Sequence, residues 1–204
     1  MIKMKEKKIS KRKTHGIQLL LRCVVRDPDG KVISDTGTKP AKSFVIAILE
    51  FIYGMFNNVN RSTEDTSGAS NQVYVWGQWT YDNLSVRAPV SDDDYGLVVG
   101  TGDTAEDNED YKLETQITEG IGAGNITHGA VIAGSAAVVG ANVDLELKRA
   151  FTNLTGSTIT VKEAGIYTES QNQFFCIVRD VLGSPVNVPD NCSLTVYYTV
   201  RTTV

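Results

Sequence analysis

The residues with the spacing of a cofactor loop lie in GLVVGTGDTAEDNEDYKL, positions 96–113. Leu97-Val98-Val99 leads into Gly100-x-Gly102-x-x-Ala105, a minimal dinucleotide fingerprint, and Asp103, Glu106, Asp107, Glu109 and Asp110 follow at once. The fingerprint needs a strand before it and a helix after it, because the pyrophosphate rests on that helix's N-terminus. Here the strand is present in the pattern, but the helix is not. Residues 105–110 contain one apolar residue, and the surrounding carboxylates repel a phosphate. No cofactor is expected. Calcium suits the loop better, since it takes six to eight oxygen ligands and Asp103, Asp107, Glu109 and Asp110 offer several. The D-x-[DN]-x-[DN]-G order is missing, however, so a solvated acidic loop is the stronger expectation.

Other chemistry is sparse. The two histidines, His15 and His128, have no G-x-S-x-G partner and no catalytic cysteine motif beside them. His128 reads as a turn or strand-face residue, and no enzyme is expected. Cys23, Cys176 and Cys192 form no C-x-x-C pair, which argues against both a disulfide framework and a zinc site. Cys23 and Cys176 lie in apolar runs and read as buried hydrophobes. Trp76, Trp79 and Tyr81 offer aromatic surface for stacking a sugar or anchoring an interface. The odd spacing of Trp76 and Trp79 puts them on opposite faces of a strand.

The elements that must position these residues are mostly strands. The chain has 204 residues, with 18 glycines and a net charge of −4. Residues 1–13 hold seven Lys/Arg (Lys3, Lys5, Lys7, Lys8, Lys11, Arg12 and Lys13) against one Glu, leaving about −10 on the remainder. A basic arm over 1–14 on an acidic body suits docking on an acidic partner, on DNA, or on a neighbouring copy. A solubilising tail is the other reading. No secretory signal pattern follows the basic region, so synthesis in a cytoplasm is expected.

Residues 15–204 are expected to form one β-rich domain, with a hairpin, a helix and loops over 15–94 and a β-sandwich core over 95–204. Ile17–Val25 and Lys31–Ser34 flank Asp27-Pro28-Asp29-Gly30, a turn with a mechanism in each residue. Residues 44–56 are apolar except for Glu50, which predicts a helix opened by Ser43. The run is too short to cross a bilayer, so no membrane partner is expected. A helix apolar nearly all round must be covered on most sides, by a sheet or by another subunit. Phe51, Tyr53 and Phe56 are its expected partner-facing residues. Residues 57–72 read as a polar loop, 73–81 as a strand, and 82–95 as irregular. Strands are predicted over 96–100, 127–138, 143–153, 158–168, 173–181 and 192–203, as an antiparallel sandwich or jelly roll.

The segment from Phe151 to Tyr167, with its F-x-N, polar turn and Ile159-Thr-Val-x-Glu163-x-Gly165-Ile166 strand, resembles a pattern in structural proteins of tailed bacteriophages, including tail-fibre and tail-collar proteins. The resemblance spans about residues 95–204 and takes in Tyr95–Gly102, the turn before His128, Phe175–Val181 and Leu194–Val200. It implies a non-enzymatic virion protein that assembles as a homo-oligomer at the tail, collar or neck. Its partners would be copies of itself and portal, neck, tail or capsid proteins. A capsid decoration or head-fibre protein, and a carbohydrate-binding receptor module, are the alternative readings.

Overall fold

A computed structural model describes residues 16–42, 44–57, 59–74 and 83–203. The basic arm with Lys3, Lys5, Lys7, Lys8, Lys11, Arg12 and Lys13, and the aromatic pair Trp76 and Trp79, lie outside the described residues.

The chain is mainly β, and its named strand pairs are antiparallel. It opens with β1 (Gly16–Arg26), β2 (Val32–Asp35) and β3 (Lys39–Pro40). The β1–β2 turn forms because Asp27 accepts the Gly30 N–H on its carbonyl and the Lys31 N–H on its carboxylate. Gly30 supplies the positive φ, +81°, that closes it. Helix α1 (Ile46–Asn57) follows, then β4 (Arg61–Glu64), β5 (Ser70–Val73), β6 (Asn83–Ser85) and β7 (Gly96–Gly100). Next come the short β8 (Thr127–His128), β9 (Ile132–Ala133) and β10 (Ala137–Val139). The long strands β11 (Asn142–Thr152), β12 (Ile159–Ser170), β13 (Gln173–Val188) and β14 (Ser193–Thr203) complete the chain.

One sheet runs β10-β11-β14-β1-β2, with β3 beside β1 and both β8 and β9 beside β11. A second runs β13-β12-β6, with β7 beside β12. In the first sheet, register puts Leu21, Tyr198 and Leu147 on one rung and Val25, Leu194 and Phe151 on another. All six are buried, in one core cluster with Leu97, Val99, Val161 and Ile166 of the second sheet. The β12–β13 turn is short because Gln171 and Asn172 both take positive φ, 54° and 59°, the geometry of a two-residue hairpin.

Four segments differ from the sequence expectation. The polar 57–72 stretch contains the β4–β5 hairpin, because Asp65 accepts the Ser67 and Ala69 N–H groups and turns the chain. The expected strand at 127–138 is broken into β8, β9 and β10, each pairing with β11. Strand β13 runs on through Gly183-Ser-Pro185 to Val188, so the expected turn shrinks to 189–192. Within 82–95, β6 pairs with the end of β12.

Candidate functional site

The acidic loop is built around one buried carboxylate. Glu163, from the middle of β12, is fully buried. Its Oε1 accepts the Gly102 N–H at 3.1 Å and the Thr115 N–H at 2.8 Å. Its Oε2 accepts the Glu114 N–H at 3.1 Å and the Arg179 Nε at 3.0 Å. The glycines of the fingerprint now have a reason. Neither Gly100 nor Gly102 takes a positive φ; instead, a Cβ on either would lie within 2.6 Å of Glu163 Oε1. They are small so that the strand and loop can close over a carboxylate, not so that a phosphate can approach.

Arg179 of β13 completes this cluster. It donates to Asp110 at 2.8 Å and to the Thr104 carbonyl at 3.0 Å. Burial works against its charge, but Asp110 and Glu163 outweigh that and hold its pKa above the ordinary value. The surrounding carboxylates are also engaged. Asp103 pairs with Lys162 at 2.7 Å, which lowers its pKa. Burial pushes the Glu106 carboxyl up, but backbone hydrogen bonds and Lys42 outweigh it and leave the pKa low. Glu114 accepts the Asp103 and Thr104 N–H groups. Asp107 accepts the Glu109 N–H. The four calcium candidates, Asp103, Asp107, Glu109 and Asp110, do not converge: among the described residues no group of three or more acidic, histidine or cysteine side chains is placed to hold a metal. The loop is a cover on the second sheet. Leu113 packs on Gly165 and donates its N–H to the Tyr167 hydroxyl at 2.5 Å.

The other polar residues inside the fold are pinned in the same way. Asn153 donates to the Ser157 and Val188 carbonyls and accepts the Thr155 N–H and hydroxyl, which fixes the turn between β11 and β12. Arg149 points its guanidinium at the carbonyls of Tyr95, Leu97, Pro89, Asp92 and Gly129. Burial lowers its pKa to about 10, so it stays charged at neutral pH. It ties β11 to β7 across the two sheets. His128 is buried edge-on against Phe151, with Nδ1 3.0 Å from both Glu119 Oε2 and the Ile126 carbonyl. Its Nε2 has no hydrogen-bond partner among the described residues. Burial, then Arg149, lowers its pKa, so the ring is neutral at pH 7. Cys23, Cys176 and Cys192 are free and buried. Burial raises the Cys23 thiol to about 12 and the Cys176 thiol further.

The surface has a different character around α1. Ala47 and Phe51 face inward, and Phe51 meets Phe175 edge-on at 5.9 Å. That corrects Phe51 as a partner-facing residue: it is core. The opposite side of α1 is also apolar, with Ile46, Leu49 and Ile52 exposed, Leu49 by 65%. With Ile17 and Phe44 these residues line an open groove of about 600 Å³. Tyr53 is half exposed and lies under Arg61, 4.7 Å from ring centroid to guanidinium carbon. The Phe56 side chain lies outside the described residues.

Beside α1 the first sheet runs past the core. Ile17 of β1, Thr202 of β14, Val143 of β11 and Val138 of β10 form one rung of four strands. Ile17 is 70% exposed and Val138 79%. The next rung, Leu19, Val200 and Leu145, is buried at Leu19 and open at Leu145. Helix and overhang together leave Ile17, Ile46, Leu49 and Val138 in water, apolar exposure of the kind that marks a contact surface when it is contiguous.

Sequence reasoning marked the helix as needing cover but missed the overhang, whose residues are spread over four strands. The chain matches no family model, no curated protein and no solved structure.

Proposed function

We propose that this chain is a non-enzymatic structural component of a tailed-phage virion, assembling as a homo-oligomer at the tail, collar or neck. In this reading the two sheets are a jelly-roll-like β-sandwich, and the basic arm over 1–14 docks on an acidic neighbour or on DNA. The observation that carries it is α1: a helix apolar on both sides, with only one side covered. A free monomer gains nothing from Leu49 and Ile46 in water; a subunit does.

The interior supports the same reading. The motif residues behind the phage resemblance, Asn153, Glu163 and Gly165, hold turns and loops in place. Glu163, Arg149 and Asn153 are bonded within the fold. That is the use a scaffold makes of polar groups.

Mass spectrometry of purified particles, with light scattering on the isolated protein, tests the proposal. The expected result is a particle-bound chain that is oligomeric in solution. A strict monomer that never accompanies particles overturns it. Cross-links to portal or tail proteins support the neck or tail address, whereas cross-links to the major capsid protein overturn it in favour of capsid decoration.

A further inference from the structure

Residues 120–143, GIGAGNITHGAVIAGSAAVVGANV, contain no Asp, Glu, Lys or Arg. Within them, residues 132–141 are exposed at every position and include the edge strand β10. Exposed edges are usually blunted by charge, proline or cover, because their open N–H and C=O groups recruit other strands. Two other edges of this fold follow that rule. Strand β13 carries Pro185, its Val181 N–H is held by Glu106, and its Val178 is bridged by Phe44. Strand β2 is flanked by Lys31 and ends in Asp35. Strand β10 has none of these devices and no second strand partner among the described residues.

The backbone of β10 is also aimed outward at the right place. Val139 and Asn142 flank the two-residue Gly140-Ala141 turn, with Gly140 at φ +62°. In such a hairpin the flanking residues exchange backbone hydrogen bonds. The next pair, Val138 and Val143, therefore directs its N–H and C=O away from each other, and those of Val138 face the open side.

We propose that β10 pairs antiparallel with β10 of a second copy of this chain, across a two-fold axis at Val138. The inference rests on the assembly reading above and names its contact. Three features select a second copy over another partner. First, a two-fold antiparallel pair sets each residue opposite its own kind or a near neighbour. A charge at the central position would then meet its own copy, and that position is a valine. Second, Ala137-Val138-Val139 is self-complementary about its centre, since Ala137 then faces the partner's Val139. Third, opposed residues share a face, so the open rung of Ile17, Thr202, Val143 and Val138 continues into the same rung of the other copy. The two first sheets become one, and the overhanging apolar face doubles in length.

Sedimentation of the full chain across a dilution series, alone and as Val138→Lys, tests this. Two ammonium groups set opposite each other should raise the dissociation constant of the pair by about 100-fold or more. The melting temperature should hold, because the side chain at position 138 is 79% exposed. A second readout needs no variant: the Val138 amide of the wild type should exchange at least about tenfold more slowly above the dissociation constant than below it. If the wild type is an oligomer whose mass Val138→Lys leaves unchanged and whose Val138 amide exchanges fast throughout, the pairing is overturned while the assembly reading stands. If Val138→Lys abolishes particle association with no change in mass, the edge takes a strand of another protein, and self-pairing is again overturned. A wild type that stays monomeric at every concentration overturns both.

Discussion

The loop at 101–116 and the edge at 132–141 make opposite use of the same kind of backbone. The loop is dense with carboxylates and looks like a site; most of them are engaged by the fold's own Arg179, Lys42, Lys162 and backbone N–H groups, and its backbone is held by Glu163. The edge has no ionisable group and looks inert; its side chains and its Val138 backbone are directed outward. Chemical richness in the sequence therefore marks what the fold needed to hold itself, and chemical plainness marks what it left open.

The comparison breaks most visibly at Glu163. Glu163→Ala leaves Arg179 without its buried partner and strips three N–H groups of their acceptor, so a loss of about 3–5 kcal/mol is expected by denaturant unfolding. Amides 101–116 should lose their exchange protection at the same time. If the variant is as stable as the wild type, the loop is not anchored as described.

A smaller effect belongs to His128. Its folded pKa is depressed, so the unfolded chain binds a proton that the folded chain refuses. The stability it contributes is present above the unfolded value near 6.5 and is lost as pH falls from there toward the folded value. The slope approaches ~1.4 kcal/mol per pH unit for this one group. His128→Gln should flatten the pH dependence of unfolding between pH 6.5 and the acid limb; an unchanged slope assigns it to carboxylates instead.

On the apolar side, Leu49→Asp should move monomer stability by no more than about 0.5 kcal/mol, since the side chain is exposed. It should nevertheless lower the mass seen by light scattering. A retained mass would remove α1 from the contact. The smallest effect is expected at Asp103→Asn: the Lys162 pair is surface-exposed, and no shift in melting temperature should be resolved.

Several elements were legible from residue pattern alone. The Asp27–Gly30 turn, the strand at 96–100 and the final strand could be read because each follows from local chemistry or period-two burial. The residues after Gly102 did not predict a helix, and none forms there. The reason for Gly100 and Gly102 was not legible, because the carboxylate they accommodate comes from position 163, some sixty residues away. Asn153 and Glu163 were visible only as parts of a short motif; their roles were not legible, because their partners lie elsewhere in the chain. The open edge had a signal that went unread, the run 120–143 without charge, because searching for chemistry passes over residues that have none.

By itself the sequence determined a strand-rich chain, turns at glycine, proline and asparagine, and an apolar segment at 44–56 that needs cover. Those depend on backbone sterics and periodicity, which act between near neighbours. Tertiary structure alone decided which carboxylates are bonded inside, which side of α1 is covered, and that Ile17, Thr202, Val143 and Val138 fall on one rung. Strand register joins residues more than a hundred positions apart, and no local rule carries that information.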